Sequence, residues 1–454
     1  MLHTTVTEYG CLGACERSQA SSRITSIPKA AFEHLQNLCI CDDSDTPFLK
    51  LRNRDGAAVL QVQNYAGVIL TPDGTQIEVL PKIAKGEDEN AHSNARKALL
   101  NMLTALKGFN HLQTSSADIS KAKVPLLEVF ISQFLKSVNE LVKRGLKSGY
   151  VKQQDNLFYL KGKLLVGQQL KKNLVNKHKF FVEYDEYLLD RPANRLIHTA
   201  LLKVAKISKS AQSQKLLREL NFVFDEVQKS KDIKADFSKV KLDRGMGYYK
   251  VPLKWAELIL NNFSPLTLKG QRNAMSLLFP MELVFESYVA QQLHRALPNH
   301  MTLSAQARSK YLVTHGDTRF FNLKPDLEIK ENGETTVILD TKWKLIDESL
   351  NNGTDKYGLS QVDFYQMFAY GHKYLGGNGN LVLIYPKHDG FTQPIEHSFD
   401  FDEKLKLWVI PYDAVSKDTN LNSTNNKMLA ELGSPSIVAT GNTKTSYFSN
   451  KNVN

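Results

Sequence analysis

Apolar positions along this chain repeat with two different periods, and the change of period divides it. Before about residue 83 they come in short runs bounded by turn residues: Ala57–Val62, Tyr65–Leu70 and Gln76–Leu80. Thr71-Pro72-Asp73-Gly74-Thr75 separates the last two. Pro fixes φ and Gly admits positive φ, so the spacing predicts strands joined by a tight turn. With a short helix expected over 28–38, the N-terminal stretch reads as a small β-rich module. From 94 to about 262 apolar residues fall three and four apart, as in Ala98-Leu99-Leu100-Asn101-Met102-Leu103 and over 126–135, which predicts helices. Another is predicted over 252–263, stopped by Ser264-Pro265.

Beyond residue 280 the two periods alternate. A helix predicted over 281–297 carries the stripe Met281, Val284, Phe285, Tyr288, Val289 and Leu293, with Glu282 and Glu286 four apart near its edge. Strand-like runs at 324–329 and 337–344 flank Glu331-Asn332-Gly333-Glu334. A helix over 360–375 places Asp363, Gln366, Tyr370 and Tyr374 on one side, Gly376-Gly377-Asn378-Gly379 ends it, and 381–386 reads as a buried strand. Helix, two strands carrying acids, helix, strand makes an α/β core. After about Val415 the composition turns to Asn, Ser, Thr and Lys with few apolar anchors, and a flexible tail is expected.

Candidate chemistry centres on Lys324-Pro325-Asp326-Leu327-Glu328-Ile329 and Val337-Ile338-Leu339-Asp340-Thr341-Lys342-Trp343-Lys344. Strand side chains repeat every two residues, so Asp340 and Lys342 share a face. A carboxylate from each of two neighbouring strands, with a lysine two residues on, can hold Mg²⁺ by hard oxygen ligands beside a cation that orients an attacking water. A solvated hairpin face would show the same alternation, so D-x-K alone does not decide between the two.

The register of that hairpin decides more. A two-residue turn on Asn332-Gly333 would pair Asp326 with Leu339 and send Asp326 and Asp340 to opposite faces. An odd loop or a bulge pairs Asp326 with Asp340 instead. The expectation is that Asn-Gly here does not make a simple type I′ hairpin, and that a reset register brings both acids to the Lys342 face.

Composition narrows the partners. At 454 residues the chain is long for one domain, and 42% apolar with 23% charged residues allows sizeable cores. A net charge of +11 suits a polyanionic partner. Between Lys136 and Lys179, Lys143, Arg144, Lys147, Lys152, Lys161, Lys163, Lys171 and Lys172 alternate with Tyr150, Phe158 and Tyr159, either as a solvated lysine face or as a DNA contact. Asp185, Glu186 and Asp190 could pass for a second acidic site, but Asp190 and Pro192 read as a helix start. Cys11, Cys15, Cys39 and Cys41 have C-x3-C and C-x-C spacings rather than zinc-knuckle spacings. No apolar run reaches the roughly 18 residues of a membrane span, and no basic region followed by an apolar core opens the chain, so no membrane association and a cytoplasmic location are expected. There is no internal repeat and no G-x4-G-K-[ST] loop, hence no nucleotide site of the chain's own.

Several stretches together resemble the PD-(D/E)XK nuclease superfamily, and within it the McrC family, the nuclease component of McrBC-type modification-dependent restriction systems. They are Gly67-Val68-Ile69, Ile77-Glu78-Val79-Leu80-Pro81-Lys82-Ile83, Asp190 with Pro192 and Asn194-Arg195, Phe285-Glu286 with Tyr288-Val289, Pro325-Asp326, Asp340-Thr341-Lys342-Trp343-Lys344, and residues 363–370. Gln366 and Tyr370 are also similar to the Q-x3-Y element of RecB-like nucleases.

The resemblance implies an α+β multidomain protein. It would comprise a β-rich N-terminal module (1–115), a helical stalk region (116–270), a C-terminal α/β PD-(D/E)XK nuclease core (271–415) and a flexible tail (416–454). It implies a Mg²⁺-dependent DNA endonuclease subunit, Mn²⁺ being a possible substitute. Asp326 and Asp340 bind the metal, Lys342 positions the water, Glu286 assists from the preceding helix, and Gln366, Tyr370 and Asp363 support the site. The implied partners are DNA, modified in this family, and a McrB-like GTP-hydrolysing AAA+ ring, on which the N-terminal part docks. Two alternatives stay open: a RecB-like repair nuclease independent of a GTPase, and a non-catalytic AAA+ adaptor.

Overall fold

A computed structural model describes residues 3–14, 24–40, 47–54, 56–83, 89–106, 125–261, 275–416 and 420–432. The chain is mixed α/β and folds as two compact units. One comprises Met1–Ala122, Leu268–Ala274 and Leu278–Asn454, the other Lys123–Thr267 with Met275–Leu277. Most of the region expected to be helical, 116–270, therefore forms the second unit, while segments 1–115 and 271–415 contribute to the same first one.

In the first unit the N-terminal strands form two sheets. His3–Thr7 runs parallel to Gln76–Leu80, which pairs antiparallel with Tyr65–Leu70. The second sheet runs in the order Ile24–Ile27, Cys11–Ala14, Ala57–Val62, Leu49–Arg54. Val6, Leu12, Leu60, Ile69 and Val79 bury into one core with Phe32 and Leu35 of helix Lys29–Ile40. The Pro-Asp-Gly turn forms as its chemistry predicts: Gly74 takes φ 87°, and the hydroxyls of Thr71 and Thr75 both donate to the Asp73 carboxylate at 2.6 Å.

The C-terminal part is built on a sheet ordered Met301–Ala305, Leu327–Glu331, Glu334–Thr341, Gly379–Pro386, Leu405–Tyr412, Phe399–Asp400. Glu334–Thr341, Gly379–Pro386 and Leu405–Tyr412 run parallel. Parallel strands are covered on both faces, which is why 381–386 is an unbroken apolar run and not an alternation. Helix Gln361–Tyr374 seats Met367 and Tyr370 on Ile338, Leu381, Leu383, Leu405 and Leu407. Helix Met281–Ala296 packs against Glu334–Thr341 as well. A ribbon of Lys310–His315 and Thr318–Leu323, which sequence patterning does not predict, precedes the acidic hairpin.

The tail needs correction. Asn420–Leu432 is a helix with Met428 and Leu429 buried. Its asparagines, read from composition as loop residues, pair with polar groups at the end of strand Leu405–Tyr412. Asn425 Nδ2 donates to Pro411 O at 2.7 Å, and Tyr412 Oη donates to Asn426 Oδ1 at 2.9 Å. Residues 433–454 lie outside the described residues.

The second unit packs helices Leu126–Arg144, Pro192–Ile207, Ala211–Val223, Ile233–Lys239 and Lys250–Leu260. Pro192 is the first residue of its helix, and Arg195 binds Asp190 and Asp236, so Asp190 serves this helix start. The helical region also holds an antiparallel sheet, Gly149–Leu157, Phe180–Leu188 and Lys163–Leu164. Several lysines of the basic stretch lie over aromatic rings in or beside it: Lys161 over Tyr184, Lys172 over Phe181 and Lys179 over Phe158. Among the described residues no helix is long and apolar enough to cross a membrane.

Candidate active site

The acidic hairpin reaches the favourable register by a route that differs in one respect from the expectation. Asn332 and Gly333 do form a two-residue turn, with φ 53° and 89°, the doubly positive pair of a type I′ turn, between Glu331 and its partner Glu334. The odd residue is further along. Lys330 pairs with Thr335 but Ile329 with Val337, so Thr336 is extra and forms a bulge. Beyond it Leu327 opposes Leu339, the last pair of the ladder, and Asp326 and Asp340 are the next residues out, so the register carried one step on turns both to one face.

Asp340 is 1% exposed. Burial and the Asp326 charge push its carboxyl up to about 6, against the pull of Lys342. Lys342 Nζ stands 2.5 Å from Asp340 Oδ2 and donates to Gln366 Oε1 at 3.0 Å. Burial disfavours the Lys342 charge, but Asp340, with Asp363 and Asp326 behind it, holds the ammonium above its usual pKa. Asp326 Oδ2 accepts from Thr341 N at 2.8 Å and Thr341 Oγ1 at 2.7 Å, which fixes one edge of that carboxylate. Glu286, half-buried on helix Met281–Ala296, is pushed up to about 7 by burial and then by Asp326, while Gln306 Nε2 donates to its Oε1 at 3.2 Å.

Helix Gln361–Tyr374 supports this group. Gln366 Nε2 donates to Tyr370 Oη at 2.7 Å, so Gln366 holds Lys342 with its oxygen and Tyr370 with its nitrogen. Asp363 accepts from Lys344 Nζ at 2.7 Å and lies 3.9 Å from Lys342 Nζ. Asp326, Asp340, Lys342 and Glu286 thus act on one another electrostatically, and Gln366, Tyr370 and Asp363 surround the lysine. Thr341, Lys344 and Gln306 had no role assigned from sequence. Lys344 was legible as the next residue on the Lys342 face of an extended chain, whereas Gln306 is brought in only by the pairing of Met301–Ala305 with Leu327–Glu331.

A divalent cation fits this donor set. Among the described residues no three His, Cys, Asp or Glu side chains form a ready-made metal cage. Two opposed carboxylates, one of them held up to about 6 by burial and its neighbour, nevertheless carry repulsion that a cation would relieve. Two carboxylates leave positions for water and phosphate oxygens, as Mg²⁺ prefers. Of the cysteines, Cys11 is buried and Cys39 donates to Leu49 O at 3.4 Å; Cys15 and Cys41 lie outside the described residues.

Comparison with known proteins adds a family. The model of the McrBC 5-methylcytosine restriction system component matches residues 60–386. Among solved structures, a chain of the half-complex from the tetradecameric assembly of Thermococcus gammatolerans McrB AAA+ hexamers with bound McrC is similar at TM-score 0.68 and 20% identity, covering 95% of this chain and 100% of that one. The Thermococcus gammatolerans McrBC complex solved by cryo-EM gives TM-score 0.46 and 22% identity over 65% and 88%, too slight a likeness to argue from. Among curated proteins none matches.

Proposed function

The chain belongs to the McrBC 5-methylcytosine restriction system component family, and from that premise we propose that it is the McrC-type subunit, a divalent-metal-dependent DNA endonuclease of the PD-(D/E)XK kind that works with a McrB-like AAA+ GTPase. The observation that carries the nuclease reading is the bulge at Thr336, which brings Asp326 to the face of Asp340, where Lys342 already stands 2.5 Å from Asp340. Like charges so placed are unfavourable by themselves, and a solvated hairpin has no use for them.

In this reading Asp326 and Asp340 hold Mg²⁺, or Mn²⁺ in its place. When bound, such an ion supplies charge to the scissile phosphate and lowers the pKa of a coordinated water. Lys342, fixed between Asp340 and Gln366, orients the attacking water and counters the charge that develops on the phosphoryl oxygens. Glu286, pushed up to about 7, can hold or release a proton near neutral pH beside the two ligands. Gln366 and Tyr370 keep the lysine in place, and Asp363 with Lys344 closes that side.

Partnership with a GTPase rests on the family and on the fold shared with a McrC-bound McrB assembly. Residues 1–122 share a unit with 278–454, so a chain cut at about 270 would divide that unit. The whole chain is therefore the object to test. Co-expressed with the GTPase of its own system and given Mg²⁺, it should cut duplex DNA carrying modified cytosine. Lys342→Ala should lower turnover about a hundredfold while the Mg²⁺ concentration giving half-maximal cutting stays the same. Loss of DNA affinity alone would make Lys342 a phosphate contact. Stimulation of GTP hydrolysis with no cutting under any divalent metal would make the chain an adaptor.

A further inference from the structure

Trp343 stands between the two lysines of the site and faces away from them. In extended chain Lys342 and Lys344 point one way, to Gln366 and Asp363 of helix Gln361–Tyr374, and Trp343 the other. The other side is a buried polar clamp from the N-terminal strands, 335 residues away in sequence. Trp343, 2% exposed, donates Nε1 to both carboxylate oxygens of Glu8 at 3.0 Å, and Glu8 is 4% exposed. Lys82 closes the clamp: its backbone N donates to Glu8 Oε2 at 2.9 Å and its Nζ to Trp343 O at 2.7 Å. The indole also packs on Phe285, centroids 5.2 Å apart, and Phe285 immediately precedes Glu286.

We propose that Glu8 and Lys82 are positioning residues for the nuclease site, holding the indole and carbonyl of Trp343 so that Lys342 and Lys344 on either side meet their acidic partners. This rests on the nuclease reading above and adds to it a device by which the N-terminal strands set the geometry of cutting. A tryptophan anchored by packing alone would need no buried carboxylate; burying one costs free energy unless it is bonded, and here each oxygen of Glu8 accepts at least one hydrogen bond. The groups facing Glu8 are Lys82, Glu282 and Tyr9, and Lys344 acts in turn on Lys82. Burial pushes Glu8 up to about 7 against the Lys82 charge, so the clamp sits near the balance point of its own ionisation.

The test uses the full chain with its GTPase, Mg²⁺ and modified duplex DNA, comparing wild type with Glu8→Ala, Glu8→Gln, Trp343→Phe and the Glu8→Ala/Trp343→Phe double variant. Trp343→Phe keeps a ring against Phe285 and removes the donor with part of the indole's volume, and it covers the case in which Glu8→Ala does not fold. Glu8→Ala, Trp343→Phe and the double variant, where folded, should each lose about ten- to a hundredfold in kcat with KM for DNA unchanged. Glu8→Gln should recover part of the loss, since its amide oxygen at the Oε2 position still accepts from Trp343 and Lys82, while its amide nitrogen at the Oε1 position meets the indole N–H as a second donor. The double variant should be no worse than Glu8→Ala alone, because the bond to Trp343 is already lost there. Unchanged kcat, a loss confined to KM, no recovery in Glu8→Gln, or losses that multiply in the double variant would each overturn the proposal. If wild type itself hydrolyses GTP with its partner and cuts nothing, the nuclease reading fails and this role falls with it.

Discussion

Two carboxylates buried in the same unit are treated in opposite ways. Glu78, fully buried on strand Gln76–Leu80, receives Arg96 Nε at 2.5 Å and Nη2 at 3.0 Å, with His3 Nε2 at 3.1 Å. Burial pushes it up, but the hydrogen bonds from His3 and Arg96 and the Arg96 charge outweigh that and hold it below the usual carboxylate range. Asp340, equally buried, faces Asp326 as well as Lys342 and is pushed up to about 6. The first is a satisfied structural ion pair. The second keeps an excess of negative charge, which is what a site for a cationic ligand requires. Burial of a charged residue is thus a poor sign of function, and the balance of charge around it a better one.

Three outcomes sharpen or break that contrast. The largest is expected of Asp340→Ala: cleavage should fall about a thousandfold while stimulation of the partner's GTP hydrolysis persists and the thermal unfolding midpoint in chelator does not drop. Cutting at wild-type rates with saturating Mg²⁺ would remove Asp340 from the site. Next, Arg96→Ala leaves Glu78 in the interior with His3 as its remaining partner and should cost about 3–5 kcal/mol in denaturant unfolding, with turnover per folded molecule unchanged. A loss under 1 kcal/mol, on the order of an exposed pair, would mean that Glu78 is not a structural ion pair of the kind described.

The smallest effect is one of pH. A carboxyl whose folded pKa is raised destabilises the metal-free fold as pH rises from its unfolded value, near 3.8 for Asp340, through about 6. Asp340→Asn should therefore match wild type near pH 4 in chelator and exceed it by about 1–3 kcal/mol at pH 8, as read by unfolding at each pH. Glu78 has the opposite sign, its contribution being present above about pH 4.5 and lost as pH falls below that. A gap between the two proteins that widens toward acid would contradict the repulsion argued for Asp326 and Asp340.

Much of the site was legible from local pattern. Period two puts Asp340 and Lys342 on one face whatever the rest of the chain does, and Gln366 and Tyr370 are four apart on a helix and bond each other as that spacing allows. The need for a reset register was also legible, as an argument that Asp326 and Asp340 cannot otherwise meet. Which device supplies it was not. The Asn332-Gly333 turn obeys its local preference, and the extra residue is Thr336, whose sequence surroundings carry no bulge signal. Helix Asn420–Leu432 escaped for a related reason: asparagine is a loop residue by propensity and a good partner for a buried strand-end carbonyl in context.

By itself, then, the sequence determined the elements that carry the site residues, their faces and the family, because each follows from short-range periodicity or from motifs a few residues long. Only the tertiary structure decided how charge is balanced. Glu286 meets Gln306 and feels Asp326, Trp343 finds Glu8 across 335 residues, and Glu78 is matched by Arg96 and His3 where Asp340 is not. Those pairings depend on which strands come together, and the electrostatic free energy of a buried carboxylate depends on its nearest few ångströms of neighbours, which separation along the chain does not reveal.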